Sequence, residues 1–271
     1  MTSAPQRAAY FSRPWVWDLR PTPGPHTAAL LLLPHGGGSA HAFTEWPTHF
    51  PDDVTVLAAQ YPGRGSRFGE PPARSMEELR DALVDALDAL DLPLVIFGNS
   101  LGALLGFEVA WCLEQAGRPP AALCVSGAWA PHAREPGATY GDALWSDAAL
   151  VDWLHEYGGM PAQVLADPDL LTLVLDAVRA DLTIVENYRF GPAPRRLACP
   201  ITVLGGTEDR LVSERTLRAW RERTRRDAEV HLLPGDHFHF ADHLPYVTGL
   251  VRAHLPTPAD PSGKRAEHDR T

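Results

Sequence analysis

The residues that could do chemistry are gathered first around Gly98-Asn99-Ser100-Leu101-Gly102, a serine with glycine two places to either side. An apolar run at 92–97 leads straight into it, and Leu101–Gln115, apolar nearly all round, leads straight out. A bare G-x-S-x-G match is cheap; a strand turning into a helix through the serine makes it specific. Such a turn holds Ser100 in a strained backbone conformation with its hydroxyl above a sheet, and Gly98 and Gly102 remove the side chains that would collide there. The helix aims its N-terminus at Ser100 and leaves the Leu101 N–H free to meet a developing oxyanion. The chemistry implied is nucleophilic attack by Ser100 on an acyl carbonyl.

A serine hydroxyl needs a base to take its proton. The run at 229–233 is followed by Pro234-Gly-Asp-His237, which places His237 at the carboxyl end of the last strand. His239 and His243 complete an H-x-H-x₃-H cluster, but no carboxylate or fourth ligand stands at a familiar zinc spacing, so no metal is expected. His237 is read as the base and the other two as surface or supporting histidines. The acid that steadies the imidazole is Asp209, with Glu208 as alternative, in Gly205-Gly-Thr-Glu-Asp209 after the run at 201–204. Asp236 is too near His237 in the chain to orient it, and no carboxylate follows Ser126 before Glu135. The order Ser100, Asp209, His237 is that of the α/β-hydrolases, whose second oxyanion donor follows the first core strand. Here that position is His35-Gly36-Gly37-Gly38, with the Gly36 N–H as the expected donor and Gly37 as its alternative. The run is no phosphate loop, because no Lys-Ser/Thr pair follows at the required spacing.

These residues must be positioned by elements that the apolar pattern announces. Runs at Ala28–Leu33, 54–58, 92–97, Ala122–Ser126, 201–204 and 229–233 have the length of buried strands. Helical patterns lie between them, among them a capping box at Ser75-Met-Glu-Glu78 followed by Leu79, Leu83, Leu87 and Leu90. The alternation predicts an α/β fold with a mostly parallel, doubly wound sheet. Between 126 and 201 no strand is convincing, but helical patterns occur at 146–157 and 169–188. That stretch is read as an inserted helical lid, spanning about residues 135–190, over the carboxyl edge of the sheet where α/β ligand sites form. Residues 1–25, broken by Pro14, Pro21, Pro23 and Pro25, are expected to form an irregular arm, 26–255 the hydrolase domain, and 256–271 a disordered tail.

Composition excludes several classes of function. With 271 residues, 45% apolar and 21% charged, one large domain is expected, and 22 Gly and 26 Pro stay below a low-complexity composition. No apolar run approaches the roughly 18 residues of a membrane span, and no secretory segment opens the chain, so a cytoplasmic protein is expected. A net charge of −10 argues against non-specific binding to nucleic acid. Cys112, Cys124 and Cys199 are read as buried free thiols.

Four segments together resemble one family, the type II thioesterases that serve polyketide synthases and non-ribosomal peptide synthetases. They are Pro34-His-Gly-Gly-Gly-Ser-Ala40, Gln60-Tyr-Pro-Gly-Arg-Gly-Ser-Arg67, Gly98 to Val109, and Gly205-Gly-Thr-Glu-Asp209 with Gly235-Asp-His-Phe238. In the lid, Gly158-Gly-Met-Pro161, Asp167-Pro-Asp-Leu170, Arg179-Ala-Asp181 and Glu186-Asn-Tyr188 are similar to the family's pattern. The resemblance implies hydrolysis of an acyl group from the phosphopantetheine arm of an acyl or peptidyl carrier protein, without a cofactor of the enzyme's own. It matches Ser100, Asp209 and His237 to the family's triad and Gly36 and Leu101 to its oxyanion donors. Where the family usually has His before the nucleophile and Tyr-Ala after the first-strand Pro, this chain has Asn99 and His35-Gly36. His35, Gly37 and Asn99 are therefore expected to touch substrate. Arg64 is read as pinning its own loop, and the arginines from Arg215 to Arg226 as a solvated face. The absence of a fused carrier domain suggests a discrete editing enzyme, expected as a monomer; a chain-releasing or cyclising thioesterase and a general serine esterase are the alternatives.

Overall fold

The computed structural model describes residues 14–256 except 136–139, 145, 159–163, 165 and 192–193; all but residue 256 of the tail expected at 256–271, and residues 1–13 of the arm expected at 1–25, lie outside the described residues. Seven strands form one sheet: β1 (Val16–Asp18), β2 (Ala28–Leu33), β3 (Val54–Ala59), β4 (Leu94–Asn99), β5 (Ala122–Ser126), β6 (Ile201–Gly206) and β7 (Ala228–Leu233). Their order across the sheet is β1-β3-β2-β4-β5-β6-β7, and every pairing except β1 with β3 is parallel. All six predicted runs are strands. β4 starts and ends two residues later than its apolar run, because Pro93 has no N–H for the ladder and the pairing continues through Gly98↔Val125 and Asn99↔Ser126.

One expectation is corrected: the arm is not wholly irregular. β1 fits between Pro14 and Pro21 and pairs antiparallel with β3, Val16 opposite Ala59. The Arg67 guanidinium lies 4.1 Å over the Trp15 ring, which fastens this edge to the loop after β3.

The sheet is buried on both sides, so its central strands read as continuous apolar runs. On β2, Ala29, Leu31 and Leu33 face a core shared with α1 (Met76–Ala86) and α2 (Leu101–Gln115). Leu30 and Leu32 face the opposite core, built on Phe43, Trp46, Phe97 and the helix Leu244–Arg252. Burying each such leucine contributes about 2 kcal/mol. α1 begins with a variant of the capping box: Ser75 accepts the Glu78 amide at 3.2 Å, and the Glu78 carboxylate reaches one residue past the cap to accept the Arg74 amide at 2.8 Å.

Between β5 and β6 lie two longer helices, α3 (Asp147–Tyr157) and α4 (Pro168–Asn187). Ser146 caps α3 by accepting the Ala149 amide, and Gly158 ends it at φ +78°. Leu175, Val178 and Leu182 of α4 pack on Leu150 and Leu154 of α3, while Ile184, Val185 and Tyr188 join the main core. The Tyr188 hydroxyl donates to Glu108 of α2 at 2.5 Å, and Arg195 grips both oxygens of that carboxylate at 2.6 and 2.8 Å. The excursion is thus tied to the core helix under the sheet. No described helix is long and apolar enough to cross a membrane.

Candidate active site

Because the central strands are parallel, the loops after β2, β4, β6 and β7 emerge at one edge of the sheet, where α/β folds bind ligands. Those loops carry Gly36, Ser100, Asp209 and His237. Ser100 sits between β4 and α2 with φ 55° and ψ −116°, the one positive-φ residue other than glycine among the described residues. The turn is forced by crowding. A Cβ on Gly98 would stand 2.1 Å from the Gly102 carbonyl oxygen, and one on Gly102 would stand 2.1 Å from that of Leu33. The strand, the elbow and the helix can approach only as glycine. The Ser100 amide donates to Ser126 on β5 at 2.8 Å, so the strain is held by the sheet itself.

His237 and Asp209 meet at 2.8 Å between Nδ1 and Oδ2, with side chains 7% and 1% exposed. The carboxylate accepts, so the ring proton is on Nδ1 and Nε2 keeps its lone pair. The other Asp209 oxygen accepts the amides of Leu211 and Val212 at 2.8 and 3.2 Å, which fixes the carboxylate. Glu208 is exposed, and Asp236 caps its own turn by accepting the Phe238 amide at 2.8 Å. Neither reaches the imidazole. Among the three late histidines, His239 is fully buried, a supporting residue and not a surface one. Its Nδ1–H donates to the Asp236 carbonyl at 3.0 Å, and its Nε2 faces the Ser126 hydroxyl at 3.4 Å. Burial lowers its pKa below the usual imidazole value. His243 donates from Nε2 to the Pro234 carbonyl instead. The three rings serve three different partners.

Ser100 and His237 open onto one cavity of about 210 Å³. Its wall is supplied by Leu104 of α2, Trp129 after β5, Tyr157 of α3, Val185 of α4, and Tyr140 and Arg134. Burial pushes the Tyr140 hydroxyl up to about 12, so it stays protonated. Arg134 is neutralised by Glu186, at 2.5 Å, and lies 5.5 Å from the Trp129 ring centre. The cavity is lined by apolar and aromatic surface together with two arginines, Arg134 and the exposed Arg210, whose Nη1 lies 3.6 Å from Glu156. These lining residues were not singled out from the sequence. The one available signal was Trp129, an aromatic three residues past a predicted strand.

The amides of Leu101 and Gly36 donate to no protein acceptor among the described residues, and Gly36 lies under α4. The three residues expected to touch substrate make other contacts in this structure. The Gly37 amide is taken by the Asp181 carboxylate at 2.8 Å. His35 turns edge-on to Phe238, ring centres 4.9 Å apart. Asn99 is fully buried under Gly127 because the β4 ladder continues through it. None of the three lines the cavity.

A family model described as "Thioesterase domain" matches residues 28–255. The chain belongs to the thioesterase family. Its fold is that of the α/β-hydrolases, and the thioesterase is a hydrolase acting on thioester bonds. It is 35% identical to the gramicidin S biosynthesis protein GrsT of Aneurinibacillus migulanus over 77% of this chain and 81% of that one. It is 34% identical to thioesterase PikA5 of Streptomyces venezuelae over 89% of this chain and 85% of that one. Among solved structures it is similar to the type II thioesterase BorB from the borrelidin biosynthetic cluster, with a TM-score of 0.82 and 36% identity, covering 90% of this chain and 98% of BorB.

Proposed function

We propose that the thioesterase removes acyl groups held as thioesters on the phosphopantetheine arms of carrier proteins in polyketide or non-ribosomal peptide assembly, acting in trans to clear stalled chains. The observation that carries the mechanism is the buried His237–Asp209 pair beside a serine held at positive φ. In the first half-reaction the Ser100 hydroxyl attacks the thioester carbonyl while His237 Nε2 takes its proton, and Asp209 stabilises the imidazolium. The Gly36 and Leu101 amides receive the oxyanion. The C–S bond breaks, and the proton on His237 passes to the departing sulfur. In the second half, His237 takes a proton from water, the hydroxide adds to the acyl-Ser100 carbonyl, and the proton returns to the Ser100 oxygen as free acid leaves. The relatives that support the carrier-bound substrate are the gramicidin S biosynthesis protein GrsT, thioesterase PikA5 and the type II thioesterase BorB of the borrelidin biosynthetic cluster.

The test offers the purified enzyme acyl carrier proteins, acyl-pantetheine thioesters and matched oxoesters, with Ser100→Ala in parallel. Free acid released from the carriers by wild type and lost in Ser100→Ala is the expected result. Equal turnover of simple oxoesters, a cyclic product, or wild-type rates in Ser100→Ala would each overturn the proposal.

A further inference from the structure

The loop bearing Pro62-Gly-Arg-Gly65 takes no part in the steps above, yet its arginine is almost wholly buried. Arg64, 5% exposed, grips both carboxylate oxygens of Asp181, Nη1 on Oδ2 and Nη2 on Oδ1 at 2.9 Å. Asp181 is fully buried and lies on α4, far along the chain in the excursion between β5 and β6. The same Oδ2 also accepts the Gly37 N–H at 2.8 Å. The carboxylate beside Arg64 outweighs the effect of burial and raises the guanidinium's already high pKa, so the guanidinium stays charged.

Gly37 shares a rigid peptide plane with Gly36. Fixing the Gly37 N–H therefore fixes the plane that leaves Gly36 and restricts how the Gly36 amide can turn. Gly37 is at φ +80°, and a Cβ there would stand 2.6 Å from Val178 Cγ2, so α4 rests directly on the turn. From the other side Tyr61 donates to the Pro34 carbonyl at 3.2 Å, and Gln60 joins the Ala40 amide to the Arg64 carbonyl. The turn is clamped between the loop after β3 and the lid helix.

We propose that Asp181, held and neutralised by Arg64, is a positioning residue of the oxyanion hole: it aims the Gly36 amide through the Gly37 peptide, so the hole is complete only when α4 is seated. This rests on the reading of Gly36 as an oxyanion donor. The arginine has a definite purpose in the arrangement. A bare carboxylate so close to a developing oxyanion would oppose its charge, whereas a carboxylate in a bidentate pair acts as an oriented acceptor. Donors of this kind accelerate a reaction because they are already oriented when charge develops.

Two double variants test the proposal, each removing both charges so that neither is left buried alone. R64M/D181N keeps an oxygen able to accept the Gly37 N–H; R64M/D181L keeps the shape without an acceptor. R64M/D181L is expected to lose about 10- to 100-fold in kcat with KM within about twofold of wild type, and R64M/D181N to recover at least about fivefold of that loss. Affinity for a trifluoromethyl ketone that forms a tetrahedral adduct is expected to fall in parallel with kcat. If R64M/D181L gives no cooperative melt, R64M/D181S, whose hydroxyl is too short to reach the amide, replaces it in the comparison. Equal kcat in the two folded variants, or a loss confined to KM, overturns the positioning role. Ser100→Ala run beside them separates the failures: turnover surviving in that variant defeats the site reading, while turnover abolished there with equal double variants defeats only Asp181.

Discussion

Replacing Gly102 by alanine tests whether the elbow and the glycine turn form one oxyanion hole. The new Cβ would stand 2.1 Å from the Leu33 carbonyl oxygen and 2.8 Å from that of Pro34, both backbone atoms that cannot rotate away. Relief requires the first turn of α2 to move about 1 Å from the end of β2, a displacement of the size that costs about 100-fold in rate when it falls on a reacting geometry. The movement parts the Leu101 amide, on α2, from the Gly36 amide, just beyond β2. Overpacking of this kind also lowers stability by about 1–3 kcal/mol. Gly106→Ala is the matched control, one turn further along the same helix. Its Cβ would meet only side-chain carbons, Leu123 Cδ1 at 3.2 Å and Ile96 Cγ2 at 3.3 Å, which can shift by a few tenths of an ångström. Alanine's helix preference of about 1 kcal/mol over glycine offsets that small cost. The assay follows thiol release from an acyl-pantetheine thioester with a chromogenic disulfide, beside thermal melts. Gly102→Ala is expected to melt cooperatively at a lower temperature with kcat down about 100-fold, and Gly106→Ala to keep wild-type turnover. A folded Gly102→Ala enzyme with wild-type kcat would refute the crowding argument.

Three further outcomes are expected. Burial lowers the His239 pKa in the folded state below its ordinary 6.5, so the unfolded chain binds the extra proton and stability is lost as pH falls through that value. Melting temperatures between pH 7.5 and 5.5 are expected to fall less steeply in His239→Gln than in wild type; parallel slopes would contradict this. Removing Arg195 leaves the Glu108 carboxylate, 5% exposed, without its main partner, so Arg195→Ala is expected to lose about 3 kcal/mol in urea denaturation, and the double variant R195M/E108Q to recover most of it. Burial pushes the Cys124 and Cys199 thiols up to about 12, so at pH 8 neither is expected to react with the chromogenic disulfide until the protein is denatured; rapid modification of either in the folded enzyme would show that its burial is not maintained.

The centre of the sheet was legible because its strands are covered on both faces and therefore spell nearly unbroken apolar runs. α2 was legible for the same reason. Ser100, Asp209 and His237 were recognisable because each closely follows a run of strand length, so a one-dimensional pattern carried their three-dimensional convergence. β1 escaped because three residues between prolines show no period. The partner of Arg64 was equally hidden: an ion pair across so long a separation leaves no local mark, although Asp181 stood within a recognised lid segment. The contacts that Gly37, His35 and Asn99 make were hidden for a related reason. Neighbours in sequence to the reacting residues, Gly37 and His35 meet Asp181 of α4 and Phe238, while Asn99 is enclosed under Gly127 by the β4–β5 ladder, its side-chain amide without a hydrogen-bond partner among the described residues.

The ion pair between Arg64 and Asp181 also bears on how such an enzyme can diversify. The excursion that carries Asp181 leaves the sheet after β5 and rejoins it at β6, two strands that pair directly, Leu123 opposite Ile201. The sheet would accept a different insertion there without changing register. The arginine would not, since a replacement segment lacking an acid at the same place strands a buried cation. Grafting a lid from a relative to change acyl preference is therefore constrained at one residue, and inheritance of the lid and of the arginine loop should be coupled.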